Sequence, residues 1–174
     1  MRSKSARLTP CDPCITGQRR VVVNADLHIV LYEPEIPPNT GNIARLCACT
    51  GIRLHLVHPL GFNIDDKQLK RAGLDYWPHL NVREHEDWSA VRNELQGHRW
   101  FGLSTKGGQT IWQTRFEPGD VLVMGPETRG LPHTVLADIQ SLRIPMRDDA
   151  PVRSLNLSSA CAIATYEALR QLDT

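Results

Sequence analysis

Three short polar stretches carry the residues of this chain that could do chemistry. In the first, Arg45 follows a loop, residues 33–42, that holds three prolines. Within that loop Asn39, Thr40 or Asn42 could cap the helix that comes next. A guanidinium group stays protonated in proteins, and it can grip a phosphate or stabilise a developing oxyanion. A solvated surface charge is the plainer interpretation, but the proline-stiffened loop fixes the position of Arg45 and favours a functional role.

The second stretch, residues 125–132, reads Gly-Pro-Glu-Thr-Arg-Gly-Leu-Pro and follows an apolar run at residues 121–124. Glu127 is therefore an acid in a glycine-bearing turn at a predicted strand end. A negative charge there could orient a cationic ligand, or it could pair with Arg129 or another arginine. Pro126 and Glu127 stand where a phosphate-binding turn needs backbone amides, so a nucleotide-phosphate site is not indicated.

The third stretch, residues 144–158, is a polar loop that runs directly into an apolar helix. Pro145 and Pro151 lack backbone donors and exclude a helix in the loop, whereas the alanines from residue 160 onward favour one. The plausible cap residues are Ser154, Asn156 and Ser158. A loop held over a helix N-terminus presents backbone donors and a partial positive charge to a ligand.

The helix that follows is apolar on more than one face, which is typical of a helix buried on more than one side. It is either a core helix or a helix that packs partly against a second copy of the chain, and the pattern leaves both open. Its apolar positions are Leu155, Leu157, Ala160, Cys161, Ile163, Ala164, Ala168, Leu169 and Leu172.

Strands and helices alternate along the chain that positions these stretches. Apolar runs predict strands at residues 27–32, 52–58, 100–104, 121–124 and 142–144. Capping and turn signals predict helices at residues 43–50, 65–72, 87–95 and 132–138. This alternation predicts an α/β fold with a parallel sheet and helices on both faces. Such sheets bind ligands beyond the carboxyl ends of their strands, where the loops after the last three predicted strands converge.

Composition narrows the class of protein. The length of 174 residues favours one domain, and five cysteines favour a reducing compartment. The net charge of +1 does not indicate a nucleic-acid-binding surface over the whole molecule. Residues 1–26 are predicted to be a flexible basic extension before a single domain at residues 27–174. No apolar run is long enough to span a membrane, so we expect a cytoplasmic protein.

Neither cysteine nor histidine spacing predicts a metal site. Cys11 and Cys14 form an isolated CxxC, which we interpret as coincidental because no second pair stands at zinc-binding spacing. The histidines are scattered, and His55 and His58 point to opposite faces of one predicted strand. The sequence therefore predicts no bound metal.

The three stretches resemble the three ordered motifs of the SPOUT class of RNA 2′-O-ribose methyltransferases. The matching segments are residues 39–45, 125–132, and 144–146 with 154–158, and the resemblance covers residues 28–172. Residues 31–42, 65–67 and 71–76 further resemble the small single-domain members of the class. Those members methylate the wobble nucleotide, a cytidine or modified uridine, of leucine tRNAs.

The resemblance implies a C-terminal trefoil knot, a homodimer packed partly through the last helix, and S-adenosyl-L-methionine as cofactor. It assigns catalytic roles to Arg45, Glu127 and Asn156. Cofactor contacts are expected from Leu103, Gly125, Ile144, Ser154 and Leu155. The tRNA is expected to lie across the dimer, against Asn39, Lys67, Lys70, Arg71, Lys106 and Arg153.

Rival functions stay open at this point. The target could be another tRNA position or ribosomal RNA, because catalytic motifs do not encode the nucleotide. A non-catalytic dimer that binds RNA or S-adenosylmethionine is a second alternative, although Arg45, Glu127 and Asn156 are all present. A small-molecule nucleotide-binding protein is a third, and the missing phosphate motif counts against it.

Overall fold

A seven-stranded parallel sheet forms the centre of the computed structural model, which describes residues 26–63 and 80–172. Its order is β3-β2-β1-β6-β4-β7-β5, and every neighbouring pair is parallel. The strands are β1 (His28–Tyr32), β2 (Arg53–Val57), β3 (Val82–His85), β4 (Trp100–Leu103), β5 (Gln109–Thr110), β6 (Val121–Met124) and β7 (Gln140–Arg143). The predicted α/β class with a parallel sheet is confirmed.

Both faces of the central strands are buried. Strands β1 and β6 are nearly continuous apolar runs, as expected where helices cover a parallel sheet on both sides. Alternate residues point to opposite faces, so Ile29 and Leu31 join one core cluster while Val30 joins a second. The sheet is thus held by two apolar layers, and its strand ends form a common edge.

Four α-helices flank the sheet in the described part of the chain. They are α1 (Pro37–Thr50), α2 (Trp88–Glu94), α3 (His133–Ala137) and α4 (Leu157–Leu172). Helices α1 and α4 pack against each other and share one core cluster, whereas α2 and α3 contribute to the other. The expectation of helices on both faces is met.

Helix α1 begins six residues earlier than predicted, at Pro37 rather than at residue 43. The three prolines favour a loop, but a proline in the first turn also suits a helix because its missing N–H has no partner there. Arg45 consequently lies in the body of α1 and not in its first turn. The predicted stop is confirmed, since Gly51 has φ 73° and donates its N–H to the Cys47 carbonyl oxygen.

Two strands were missed and one was misplaced. Strand β3 carries charged and exposed residues, and β5 has only two residues, so neither shows an apolar run. Strand β7 spans Gln140–Arg143 instead of 142–144, because pairing with β4 recruits polar residues. Pro132 precedes α3 as its cap residue and is not in its first turn.

Some predictions lie outside the described residues. They are the N-terminal extension up to residue 25, the helix at residues 65–72, and the cationic residues Lys67, Lys70 and Arg71. Among residues 26–63 and 80–172, no helix combines the length and the apolar character needed to cross a membrane.

Candidate active site

The loops after β4, β6 and β7 enclose a cleft of about 670 Å³ together with the start of α4. Strands β6, β4 and β7 are neighbours in the sheet, so their carboxyl ends bring these loops together. A cleft of this size suits a small-molecule ligand. The convergence expected from the sequence is therefore present.

All five residues predicted to contact a cofactor line this cleft. Leu103, Ile144 and Leu155 contribute apolar side chains to the lining, and Gly125 and Ser154 line the cleft as well. Leu155 is 37% exposed, so its side chain is available to a ligand. Apolar side chains beside loop backbone suit a nucleoside, and the contacts themselves stay predictions.

Two glycines let the cleft walls pack backbone against backbone. A Cβ added to Gly107 would lie 2.4 Å from the carbonyl carbon of Leu142, and one added to Gly125 would lie 2.4 Å from the backbone nitrogen of Leu131. Ser104 N–H donates to the Leu142 carbonyl oxygen at 2.9 Å, which anchors the same contact. Larger residues at positions 107 and 125 would push these loops out of place.

A chain of side-chain hydrogen bonds joins the three polar stretches. Asn156 Nδ2 donates to Asn39 Oδ1 at 3.0 Å, and Asn39 Nδ2 donates to Glu127 Oε1 at 2.9 Å. The backbone N–H of Glu35 donates to Glu127 Oε2, also at 2.9 Å. We call Asn156, Asn39 and Glu127 the polar chain; it joins the first turn of α1, the loop after β6 and the start of α4.

Asn39 is 5% exposed, and both atoms of its amide group are bonded within the protein. The predicted contact between Asn39 and RNA does not fit this burial. Asn39 instead holds Glu127 and Asn156 in place, so we assign it a positioning role. The sequence indicated Asn39 as a candidate helix cap and as part of the first motif, and no side-chain cap bond forms at the start of α1.

Asn156 is the residue that caps α4 among the three candidates. Its Oδ1 accepts hydrogen bonds from the backbone N–H of Ser158 at 2.9 Å and of Ser159 at 3.3 Å. Its amide nitrogen remains available for Asn39, so one side chain both starts the helix and binds the neighbouring loop. This double use orients Asn156 at the edge of the cleft.

Glu127 does not pair with Arg129, which was one expectation from the sequence. Arg129 forms ion pairs with Glu33 and with Glu35 instead. Thr128 donates to Glu35 through its backbone N–H at 3.0 Å and through its hydroxyl at 2.7 Å. These hydrogen bonds, with a smaller effect of Arg129, lower the pKa of Glu35. Contacts of Glu33, Glu35 and Thr128 thus join the loop after β1 to the loop after β6. The sequence did not indicate a role for any of these three residues.

The predicted cationic residues fall in different places. Lys106 and Arg153 are exposed and line the cleft. Arg45 is exposed on α1 and is not one of the described residues that line the cleft. Its position therefore fits a contact with a large substrate outside the cleft better than a contact with a ligand inside it.

Exchanging the amide of Asn39 and the carboxylate of Glu127 between the two positions should preserve the hydrogen bonds of the polar chain. Glu127→Gln alone sets an amide donor against either Asn39 Nδ2 or the backbone N–H of Glu35, and Asn39→Asp alone sets two carboxylates together. Each single variant should lose about 1–3 kcal/mol of unfolding free energy. In the double variant, the new glutamine can donate to the new aspartate, which can still accept from Asn156, so most of the loss should be recovered. Urea denaturation checks this, and strictly additive losses would contradict the hydrogen-bond assignment.

Comparison with known proteins identifies relatives of this chain. The model of the SpoU rRNA Methylase family matches residues 26–166. A tRNA (cytidine(34)-2′-O)-methyltransferase of Methylovorus glucosotrophus (strain SIP3-4) is 55% identical over 148 residues, which are 83% of this chain and 95% of that protein. A protein of the same name from Escherichia coli (strain K12) is 52% identical over 149 residues, covering 84% and 94% of the two chains.

A solved structure described as giving insights into the 2-OH methylation of C/U34 on tRNA has a TM-score of 0.80 to this chain. It is 51% identical in sequence, and the match covers 84% of this chain and 96% of that one. The similarity thus extends over more than four fifths of this chain and over nearly the full length of these relatives, and the family model includes the loops of the cleft.

Proposed function

Because this chain belongs to the SpoU rRNA methylase family, we propose that it transfers a methyl group from S-adenosylmethionine to the ribose 2′-hydroxyl of nucleotide 34 in tRNA. The observation that carries this proposal is the near full-length similarity to proteins named for that reaction. Within it, we propose leucine tRNAs as substrates, with a cytidine or modified uridine at the wobble position. The converging loops and the polar chain provide the site such a reaction needs.

The residues of the cleft fit S-adenosylmethionine. Leu103, Ile144 and Leu155 would cover the adenine and ribose faces, while Gly107 and Gly125 keep the loop backbones close enough to read adenine edges. The cofactor supplies an activated methyl group on a sulfonium when it is bound. The protein has to hold the target ribose in line with that group and to exclude competing water.

Arg45 acts on the RNA side of the reaction in this proposal. Its guanidinium group keeps its proton, so it serves as a charge and hydrogen-bond donor and not as a general base. From its exposed position on α1 it grips a phosphate near the target ribose and stabilises the developing 2′-oxyanion. Glu127, Ser154 and Asn156 hold the loops of the cleft in place during methyl transfer. Asn39 positions Glu127 and Asn156 through its two hydrogen bonds.

We further propose the knot and the homodimer of the SPOUT class for this chain. The segment between β7 and α4, residues 144–156, is where the chain would pass through a loop to form the knot. Helix α4 turns Cys161, Ala164 and Ala168 inward, yet it leaves Ile163 at 40% and Tyr166 at 56% exposure. This second apolar face supports packing against another copy of the chain.

A methyl-transfer assay tests the function. The protein is incubated with labelled S-adenosylmethionine and total tRNA from cells that lack this enzyme, and the 2′-O-methyl nucleotides are mapped. Label at nucleotide 34 of leucine tRNAs is the expected result. Label at another nucleotide would support 2′-O-methyl transfer but contradict nucleotide 34 as the target. Cofactor binding without methyl transfer would favour a non-catalytic binder.

Binding of tRNA should weaken steeply with salt. The predicted patch has five cationic residues per chain, of which Lys106 and Arg153 lie at the cleft. If each neutralises one phosphate, a slope of about −0.7 per contact predicts an affinity loss of about 100-fold between roughly 50 and 200 mM salt. Filter binding of tRNA across this range checks the prediction, and a flat response would exclude this patch as the RNA surface.

A further inference from the structure

A row of buried histidines crosses the sheet on the face that α2 covers. His28 Nδ1 lies 3.0 Å from His55 Nε2, and His55 Nδ1 lies 2.9 Å from His85 Nε2. Their residue exposures are 2%, 1% and 6%, in the same order. None of the three lines the cleft, so the proposed methyl transfer gives this row no role.

The row ends at a carboxylate that reaches the surface. Glu94 is the last residue of α2, and its Oε2 lies 3.8 Å from His85 Nδ1. The Glu94 side chain is 35% exposed and provides a path from solvent to the two imidazoles. One ligand atom from each of His55, His85 and Glu94 lies within 4.8 Å of the other two.

We propose that His55, His85 and Glu94 form a binding site for a divalent transition metal, with Zn²⁺ as the ion that fits best. Two imidazoles and a carboxylate are a donor set that Zn²⁺ accepts, and a water molecule completes its tetrahedron. Nitrogen atoms that share one tetrahedral Zn²⁺ lie about 3.3 Å apart. The facing nitrogens of His55 and His85 are 2.9 Å apart, and Glu94 Oε2 lies 3.8 Å from the other nitrogen of His85. For one ion to bind all three residues, the histidine pair has to open and the Glu94 carboxylate has to turn toward His85 Nε2.

The tautomers of the two imidazoles decide what the ion has to displace. His55 Nδ1 and His85 Nε2 face each other at 2.9 Å, so one of them carries the proton of this hydrogen bond. That proton has to leave its position before both nitrogens can bind the ion. If that proton moves to His55 Nε2, His28 Nδ1 has to accept from it; the proton of His28 then sits on Nε2, which can no longer accept from Arg53 Nη1 at 3.4 Å.

The Arg83 side chain competes with the metal for the Glu94 carboxylate. Its guanidinium group bonds Glu94 Oε1 at 2.5 Å, which occupies the carboxylate and adds a positive charge beside the site. The Arg83 side chain is 57% exposed and can swing into solvent when the ion arrives. Removal of Arg83 should thus strengthen metal binding, whereas removal of the Glu94 charge should weaken it.

The test titrates the chelator-treated full-length chain with Zn²⁺ against a chromophoric competitor, and with Co²⁺ while its visible absorption is followed. We expect one ion per chain and a higher melting temperature with Zn²⁺. Glu94→Gln should weaken binding by at least the roughly 10- to 100-fold that the loss of an outer partner costs, and Arg83→Gln should strengthen it. Both positions are exposed, so these variants avoid the folding defect that a change of His85 could bring.

Two controls separate this site from other ligands of the chain. His58→Gln removes an exposed histidine that pairs with Glu84 at 2.9 Å, and it should leave Zn²⁺ affinity unchanged. Replacement of Cys11 and Cys14 by serine should also have no effect. The proposal is overturned if the wild-type chain binds no Zn²⁺ at micromolar concentrations, if Glu94→Gln binds as tightly as wild type, or if the serine variant loses the ion.

Discussion

Replacing Arg45 with alanine should lower kcat/KM for methyl transfer to tRNA by about 10²–10³-fold, the usual cost of one oxyanion donor. The side chain is exposed on α1 and lies outside the cleft lining, so its loss should spare cofactor affinity. Single-turnover transfer and equilibrium binding of S-adenosylmethionine, measured on the same preparation, check the two halves of this prediction.

Arg45→Lys distinguishes charge from geometry. A lysine keeps the positive charge but not the planar fork that binds a phosphate through two parallel hydrogen bonds. Substantial remaining activity is expected if charge stabilises the oxyanion. Equal loss in the lysine and alanine variants would instead favour bidentate recognition, and unchanged activity in the alanine variant would remove Arg45 from the reaction.

Gly107→Ala should damage the cofactor cleft, whereas Gly108→Ala should not. A Cβ at position 107 would meet the Leu142 carbonyl carbon at 2.4 Å, its oxygen at 2.6 Å and Arg143 N at 2.8 Å. These atoms belong to the backbone of β7 and cannot turn aside, so the loop after β4 has to move. A displacement of roughly 1 Å in such a wall can cost about 10²-fold in rate, and we expect a loss of that order.

The neighbouring glycine makes a matched control. A Cβ at Gly108 meets nothing within 4 Å, and the residue is exposed. Calorimetric titration with S-adenosylmethionine and a melting curve for both variants show whether the defect lies in the cleft or in overall stability. Similar cofactor affinity in the two variants would mean that the loop after β4 does not shape the site.

The order of strands and helices was largely predictable from local sequence. Apolar runs located β1, β2, β4 and β6, because a strand buried on both faces needs apolar residues at successive positions. The alternation with helices then implied a parallel sheet and a site at its carboxyl edge. Strands β3 and β5 were not predictable in this way, since their pairing partners and not their own residues make them strands.

The side-chain partners within the site depend on the tertiary structure. Asn39 and Asn156 stand 117 residues apart, and Asn39 and Glu127 stand 88 apart, so no local pattern could indicate that they share hydrogen bonds. The same reason explains why the sequence did not indicate the proposed metal site. His58 stands three residues from His55 but points to the other face of the strand, and His85 reaches His55 only because β3 pairs with β2.

The sequence by itself thus determined most of the elements, the class of sheet and the three stretches that meet at its edge, because hydrophobic periodicity, caps and turns act over a few residues. Only the tertiary structure decided that Asn39 is buried and bonded to Glu127 and Asn156, that Arg129 pairs with Glu33 and Glu35, and that Arg45 on α1 lies outside the cleft lining. Those outcomes depend on how loops from distant strands pack, which no short segment encodes alone.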